Sequence, residues 1–143
     1  MQSVRIRSQL VVCSIAILLL AAGCQKADQP PLGTVHGVVT LDGQPLPNAI
    51  VYFSPDGGGR VSQDMTDAKG EFDLVYIGST LGAKTGPHSV RITTAYDGFD
   101  EASGQTVERP ELVPKRYNGT QTELKAEVKP GRNTINFDLK SSS

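Results

Sequence analysis

The chain has 143 residues with 14 basic and 15 acidic side chains; without the first 23 residues, 12 bases face 15 acids. That length holds one domain, and a net charge near −3 gives no basic footprint for nucleic acid. Aromatic content of 6 % without Trp argues against a wide stacking platform for sugars or bases.

Met1 to Arg7 carries Arg5 and Arg7 and no acid, Leu10 to Leu20 is apolar except at Ser14, and Ala21-Ala22-Gly23 leads to Cys24. This is the three-part layout of a secretory signal peptide. The apolar run is short against the roughly 20 residues needed to span a bilayer. Its ending, LLLAAGC, resembles the lipobox of bacterial lipoproteins, although the residue three before the cysteine is Ala21, with Leu20 one step earlier. The resemblance implies that residues 1–23 are removed and that Cys24 is acylated (palmitate is one such chain), fixing the protein to a membrane. Each buried methylene would add about 0.8 kcal/mol to that anchoring. An ordinary signal peptide cut near Ala22 would instead leave Cys24 as an exported thiol open to oxidation. Cys13 leaves with the signal in either case. Gln25, rather than Asp, after the cysteine favours the outer over the inner membrane in the sorting pattern that this resembles.

Residues 24–33 hold Pro30-Pro31 and no periodicity, which predicts a stiff lipidated tether. Thr34 to Phe53 then alternates, with Val35, Val39 and Leu41 on one face and His36, Thr40 and Asp42 on the other. Asp42-Gly43 supplies a turn, and Ala49 to Phe53 a second strand of branched and aromatic residues. Ser54 to Arg60 (SPDGGGR) lacks the Lys-Ser/Thr ending and following helix of a phosphate loop, so it reads as a hairpin tip. Further strands are expected at Val61–Thr66, Glu71–Leu74, Pro87–Tyr96, Leu124–Val128 and Ile135–Leu139, with Val75 to Gly86 left as loop. The expected core is Val39, Val51, Phe53, Phe72, Val90, Ile92, Val128, Ile135 and Phe137. Short strands between Gly, Pro and Asp turns, with no helical period, predict an all-β antiparallel Greek-key sandwich of about seven strands.

GVVTLDGQPLPNAIVYF, TDAKGEF and GPHSVRI together resemble the carboxypeptidase regulatory-like domain, a transthyretin-like (prealbumin-like) sandwich, over about residues 34–140. The tail from Leu112 to Leu139 looks like the ending of small bacterial lipoproteins built from this domain alone. The shared motifs are turn and core residues, so they speak to fold more than to function. In carboxypeptidases the domain accompanies a separate zinc-bearing catalytic domain, for which this chain has no room.

Two histidines, His36 and His88, cannot supply the three protein ligands usual in catalytic zinc, and no HExxH or GxSxG motif is present. Both are expected at surface or boundary positions. No enzyme activity, cofactor or metal is expected. Asp97, Asp100 and Glu101 could offer oxygens to calcium, but not at EF-hand spacing. Arg109, Lys115 and Arg116 could receive an anionic partner or pair with those acids. Asn118-Gly119-Thr120 fits a glycosylation sequon but suits a turn. The stretch from Asp97 to Asn118 exceeds the length of ordinary connections and is the expected binding loop, with Gly98 to Glu108 as its mobile half and Leu112-Val113-Pro114 clipped to the sandwich. The expected function is that of a monomeric, lipid-anchored cell-envelope module contacting a protein or polysaccharide. The alternative is a calcium- or carbohydrate-responsive accessory protein using that loop.

Overall fold

A single long strand organises the sandwich. In the computed structural model, which describes residues 29–101 and 103–142, β1 (Leu32–Leu41) is paired along both edges. On one side it meets, antiparallel and in succession, β8 (Ala83–Lys84), β5 (Glu71–Asp73) and β2 (Gln44–Pro45). On the other it runs parallel to β13 (Gly131–Thr134) and then β14 (Phe137–Leu139). Between β13 and β14 the ladder is interrupted. There Ile135 N–H donates to the His36 carbonyl at 2.9 Å, and the Asn136 side chain accepts from Val38 N–H at 3.0 Å. A side-chain oxygen thus replaces a missing backbone acceptor.

The second sheet is antiparallel throughout, in the order β12 (Lys125–Val128), β9 (Gly86–Thr93), β3 (Ile50–Pro55), β4 (Ser62–Met65), β6 (Val75–Ile77) and β7 (Thr80–Leu81). A separate two-stranded hairpin joins β10 (Tyr96–Asp100) to β11 (Gln105–Arg109). One short helix, α1 (Lys115–Asn118), follows it.

The two sheets close on a core to which Val39, Phe72, Phe137 and Leu139 contribute from one side and Val51, Phe53, Val90, Ile92 and Val128 from the other. Phe53 sits at its centre, with ring centroids 6.5 Å from Phe72 and 6.0 Å from Phe137, the last edge-on. Aromatic rings in this geometry add to what their buried area contributes.

The β-sandwich expected from alternation is present, with four differences. The strand segments exceed seven, because Val75 to Lys84 folds as β6, β7 and β8 rather than as loop. One sheet is mixed, since β13 and β14 run parallel to β1; alternation reports which face is buried but not strand direction. The domain starts at Leu32, inside the expected tether: Leu32 and Gly33 pair with Lys84 and Ala83, and the Pro31 carbonyl accepts from Thr85 N–H at 2.9 Å. Ile135, expected in the core, is only partly buried, because the break between β13 and β14 brings its backbone over β1. The expected signal peptide, Cys24 and residues 25–28 of the expected tether lie outside the described residues.

The Asp42-Gly43 turn is as expected. Both residues have positive φ (52° and 81°), the geometry that joins β1 to β2 without splaying them. Asp67 organises the β4–β5 turn by accepting from Lys69 N–H at 2.8 Å and Glu71 N–H at 2.9 Å. These two bonds hold its carboxyl below the usual aspartate range.

Candidate binding site

Alternation leaves Ile50, Tyr52, Gln63, Met65, Ser89 and Arg91 on the outer face of the second sheet, opposite the core residues of the same strands. Arg91 lies 4.0 Å from the Tyr52 ring centroid, a cation–π contact. At one border, Lys125 Nζ donates to Ser89 Oγ at 2.6 Å, and Ser89 Oγ donates to Asp56 at 2.7 Å. Along β4 a groove of about 590 Å³ runs between Arg60, Gln63, Met65, Val75, Tyr76 and Tyr96. A second groove, of about 510 Å³, continues under the hairpin, lined by Met65, Tyr96, Phe99, Asp100, Val107 and Arg109. The two share Met65 and Tyr96 and form one continuous concave surface.

That surface presents apolar groups to solvent. Met65 is 40 % exposed, Val61 42 % and Phe99 60 %. These groups are interspersed with the polar Arg60, Gln63, Asp64 and Asp100. Arg109 is its cationic element. The guanidinium stacks 4.7 Å from the Tyr96 ring centroid and points Nη1 at Met65 Sδ, 3.7 Å away. It forms no ion pair with a described residue, and its buried Nε has no hydrogen-bond partner among them. Tyr96 is itself held by its hydroxyl donating to the Phe99 carbonyl at 3.0 Å.

The base of the hairpin is fastened by Glu111. Its carboxylate accepts from the Thr93 hydroxyl, from Thr94 N–H at 3.0 Å and from Val113 N–H at 2.9 Å. The Thr94 hydroxyl in turn accepts from Leu112 N–H at 2.7 Å. Partial burial pushes the Glu111 carboxyl upward, but the hydrogen bonds from Thr93, Thr94 and Val113 outweigh it and hold the group below the usual glutamate range. Stability from Glu111 is therefore present above the ordinary glutamate value and lost as pH falls through it toward the depressed folded value. Glu111→Gln is expected to flatten the fall of the urea midpoint between about pH 5 and pH 3. Equal pH slopes in the two proteins would remove this role from Glu111.

The structure divides the residues expected to form one binding loop. Gly98 to Glu108 belongs to a paired hairpin instead of a mobile loop. Its outward alternate residues include Asp97 opposite Glu108, while Asp100 lies on the other face of β10 and Glu101 in the turn. Among the described residues no group of three His, Cys, Asp or Glu could hold a metal ion. Arg109 joins the grooves, but Arg116 does not: it donates to the Lys140 carbonyl at 2.5 Å and to the Ser142 carbonyl at 3.1 Å, and lies 3.5 Å from Glu123. It fastens the end of the sandwich. Lys115 is exposed beside it in α1. Of the expected clip Leu112-Val113-Pro114, Val113 is buried, but Leu112 is 58 % exposed and does not pack on the sandwich.

The histidines part company. His36 is half exposed, with Nδ1 3.2 Å from Asp73 Oδ1. His88, expected at a boundary, is 1 % exposed; Nδ1 is 2.9 Å from the Gly86 carbonyl and the ring packs 5.7 Å from Phe53. Its position facing Ala126 on the inner side of β9 puts it in the core. The sequence reading missed Met65, Tyr76, Tyr96, Arg60 and Glu111. Apolar residues at outward strand positions, such as Met65 beside Gln63, were the available signal.

No protein-family model matches the sequence, and no curated protein matches it. Solved structures with partial likeness include the following. The major pilin subunit of Bacillus cereus is 13 % identical (TM-score 0.46), with 79 % of this chain and 31 % of that one covered. A 9R-lipoxygenase from Cyanothece is 15 % identical (TM-score 0.42), with 90 % and 20 % covered. The dioxygenase domain of a dioxygenase–carbohydrate-binding fusion from a cellulolytic Streptomyces is 20 % identical (TM-score 0.37), with 81 % and 84 % covered. The chain thus spans about a third of the pilin subunit and a fifth of the lipoxygenase.

Proposed function

We propose that this chain is a bacterial envelope lipoprotein, acylated at Cys24 and favouring the outer membrane, whose sandwich is a carboxypeptidase regulatory-like module that works by binding rather than by catalysis. The lipobox-like LLLAAGC supports the anchor. The observation that carries the binding role is the continuous surface around Met65 and Tyr96, with Arg109 stacked on it and free of any ion pair to a described residue. An aromatic, a flexible thioether and a guanidinium together are the side chains that contribute most at protein contacts. Its partner is an envelope protein or polysaccharide whose anionic group meets Arg109. The module acts as a monomer on its membrane.

Two outcomes test this. Cys24→Ser should abolish fatty-acid labelling and lipoprotein-type cleavage; a variant that still takes up label and fractionates normally removes the anchor. Replacing Gly98–Glu108 with a short Gly-Ser linker takes away the wall of the second groove while sparing both sheets. The melting temperature should stay nearly unchanged, and recovery of partners in a pull-down from native envelope should fall at least about tenfold, as loss of a contact centre does. Undiminished recovery would move the contact surface elsewhere.

A further inference from the structure

Basic side chains gather at one end of the domain. At the pole where β1 begins, four cations converge from four different segments. Lys84 stands opposite Leu32, Arg132 opposite Thr34, Lys129 lies in the turn between β12 and β13 with its backbone carbonyl against Gly33, and Arg60 follows the glycine tip whose Gly58 carbonyl is held by Lys84 Nζ at 3.0 Å. None of the four forms an ion pair with a described residue, and Arg60, Lys129 and Arg132 are exposed. Of the acids nearby, Asp56 is taken up by Ser89 and Lys125; Asp73, which shares a cleft with Arg132, lies 3.2 Å from His36; Asp64 lines the groove with Arg60, and Glu127 is exposed. The far pole holds Asp42 beside Lys140, Asp67 beside Lys69, and the hairpin with Asp97, Glu108 and Arg109.

The chain enters the domain at the same basic pole. Cys24 lies eight residues before Leu32, so an extended tether reaches at most about 28 Å. A lipid on Cys24 therefore keeps the basic pole close to the bilayer, where screening at physiological salt leaves attraction effective over about 8 Å.

We infer that Arg60, Lys84, Lys129 and Arg132 form a docking face for an anionic phospholipid surface. The face seats the domain with β1 pointing away from the membrane; Arg60 borders the near end of the groove along β4, and the hairpin end of the Met65–Tyr96 surface stands away from the membrane. The orientation rests on the anchoring proposed above, whereas the affinity of the pole for anionic lipid does not. Basic clusters beside a membrane anchor gain from each added cation and lose the gain in salt.

The test is lysine reactivity in the full exported chain, mixed with vesicles of phosphatidylcholine alone or with roughly 30 mol % phosphatidylglycerol. Brief amine acylation is read by mass spectrometry. Lys84 and Lys129 should be labelled about threefold more slowly on the anionic vesicles, while Lys69 and Lys140 at the far pole are unaffected, and about 0.5 M salt should erase the difference. In K129E/R132E the protection of Lys84 should vanish, with unchanged rates at Lys69 and Lys140 reporting an intact fold. Equal labelling on both vesicles, or equal protection at both poles, overturns the docking face. So does protection by soluble polygalacturonate but not by vesicles, which would make the pole a polysaccharide site. Failure to float with phosphatidylcholine vesicles tells against the Cys24 anchor alone, because the anionic arm still reads the docking face.

Discussion

Phe53→Ala is expected to destabilise the domain by about 3–5 kcal/mol, a large part of the roughly 5–15 kcal/mol available to a domain of this kind. Phe53 is fully buried and is the one ring in contact with Phe72, Phe137 and His88 together. Truncation removes its transfer free energy and leaves a cavity bounded by both sheets, which cannot collapse without shifting strands paired on their other edges. Urea denaturation of the fragment from Pro31 to Ser143 measures this directly, and the fragment itself should be β-rich without metal or reductant. Phe137→Ala should follow closely, since Phe137 contacts both Phe53 and Phe72. A loss below about 1 kcal/mol at Phe53 would mean that the two layers do not close on this ring.

Gly37→Ala is expected to be comparably damaging, by a different route. A Cβ at Gly37 would lie 1.8 Å from the Ile135 carbonyl oxygen and 2.8 Å from Phe72 Cζ. The first of these is backbone, held where Ile135 N–H bonds to the His36 carbonyl. Relief requires β1 to separate from the segment between β13 and β14, losing hydrogen bonds on both sides of the break. Overpacking costs about 1–3 kcal/mol and sometimes more, and each lost hydrogen bond about 1 kcal/mol. A total near 3–5 kcal/mol follows from those two costs together. Gly43→Ala is the useful contrast, because nothing lies within 4 Å of its Cβ position and its penalty is conformational only. If Gly37→Ala melts within a degree or two of the parent, the passage of Ile135 over β1 is not as tight as described.

The hairpin swap and these two substitutions act on separate parts of the molecule. Phe53 and Gly37 belong to the closure of the sandwich, while β10 and β11 pair with each other and reach the sheets through Glu111, Tyr96 and Arg109. A function that resides in the grooves should therefore be removable without unfolding the domain.

Local chemistry made much of the fold legible. Val35, Val39, Val51, Phe53, Val90 and Ile92 alternate with polar neighbours, and a period of two leaves one possible buried face for each strand. Asp42-Gly43 and the Asp67–Gly70 turn announce themselves because few residues accept those backbone angles or supply a carboxylate to the turn amides. The order of strands across the sheets was less accessible. The parallel seating of β13 and β14 on β1 depends on Asn136 reaching Val38 across 98 positions of sequence, and on an absent side chain at Gly37. Neither produces a periodic signal. The length of the stretch from Asp97 to Asn118 marked it as more than a connection, and the structure folds part of it as a hairpin. Its internal pairing was hidden because the hairpin alternates weakly and has no apolar face of its own.

The sequence by itself determined the class of the domain, the faces of its strands, most of its core and the lipobox-like entry to it. Only the tertiary structure decided that Arg116 and His88 are internal fastenings. Only it, too, brought Met65, Tyr96 and Arg109 together and sorted Arg60, Lys84, Lys129 and Arg132 to one pole. The physical reason is range. Strand alternation and turn chemistry act between residues a few positions apart and leave a record in the sequence. A binding surface or a charged pole arises where distant strands are laid side by side, and that adjacency is set by hydrogen bonds and packing between segments that carry no local trace of one another.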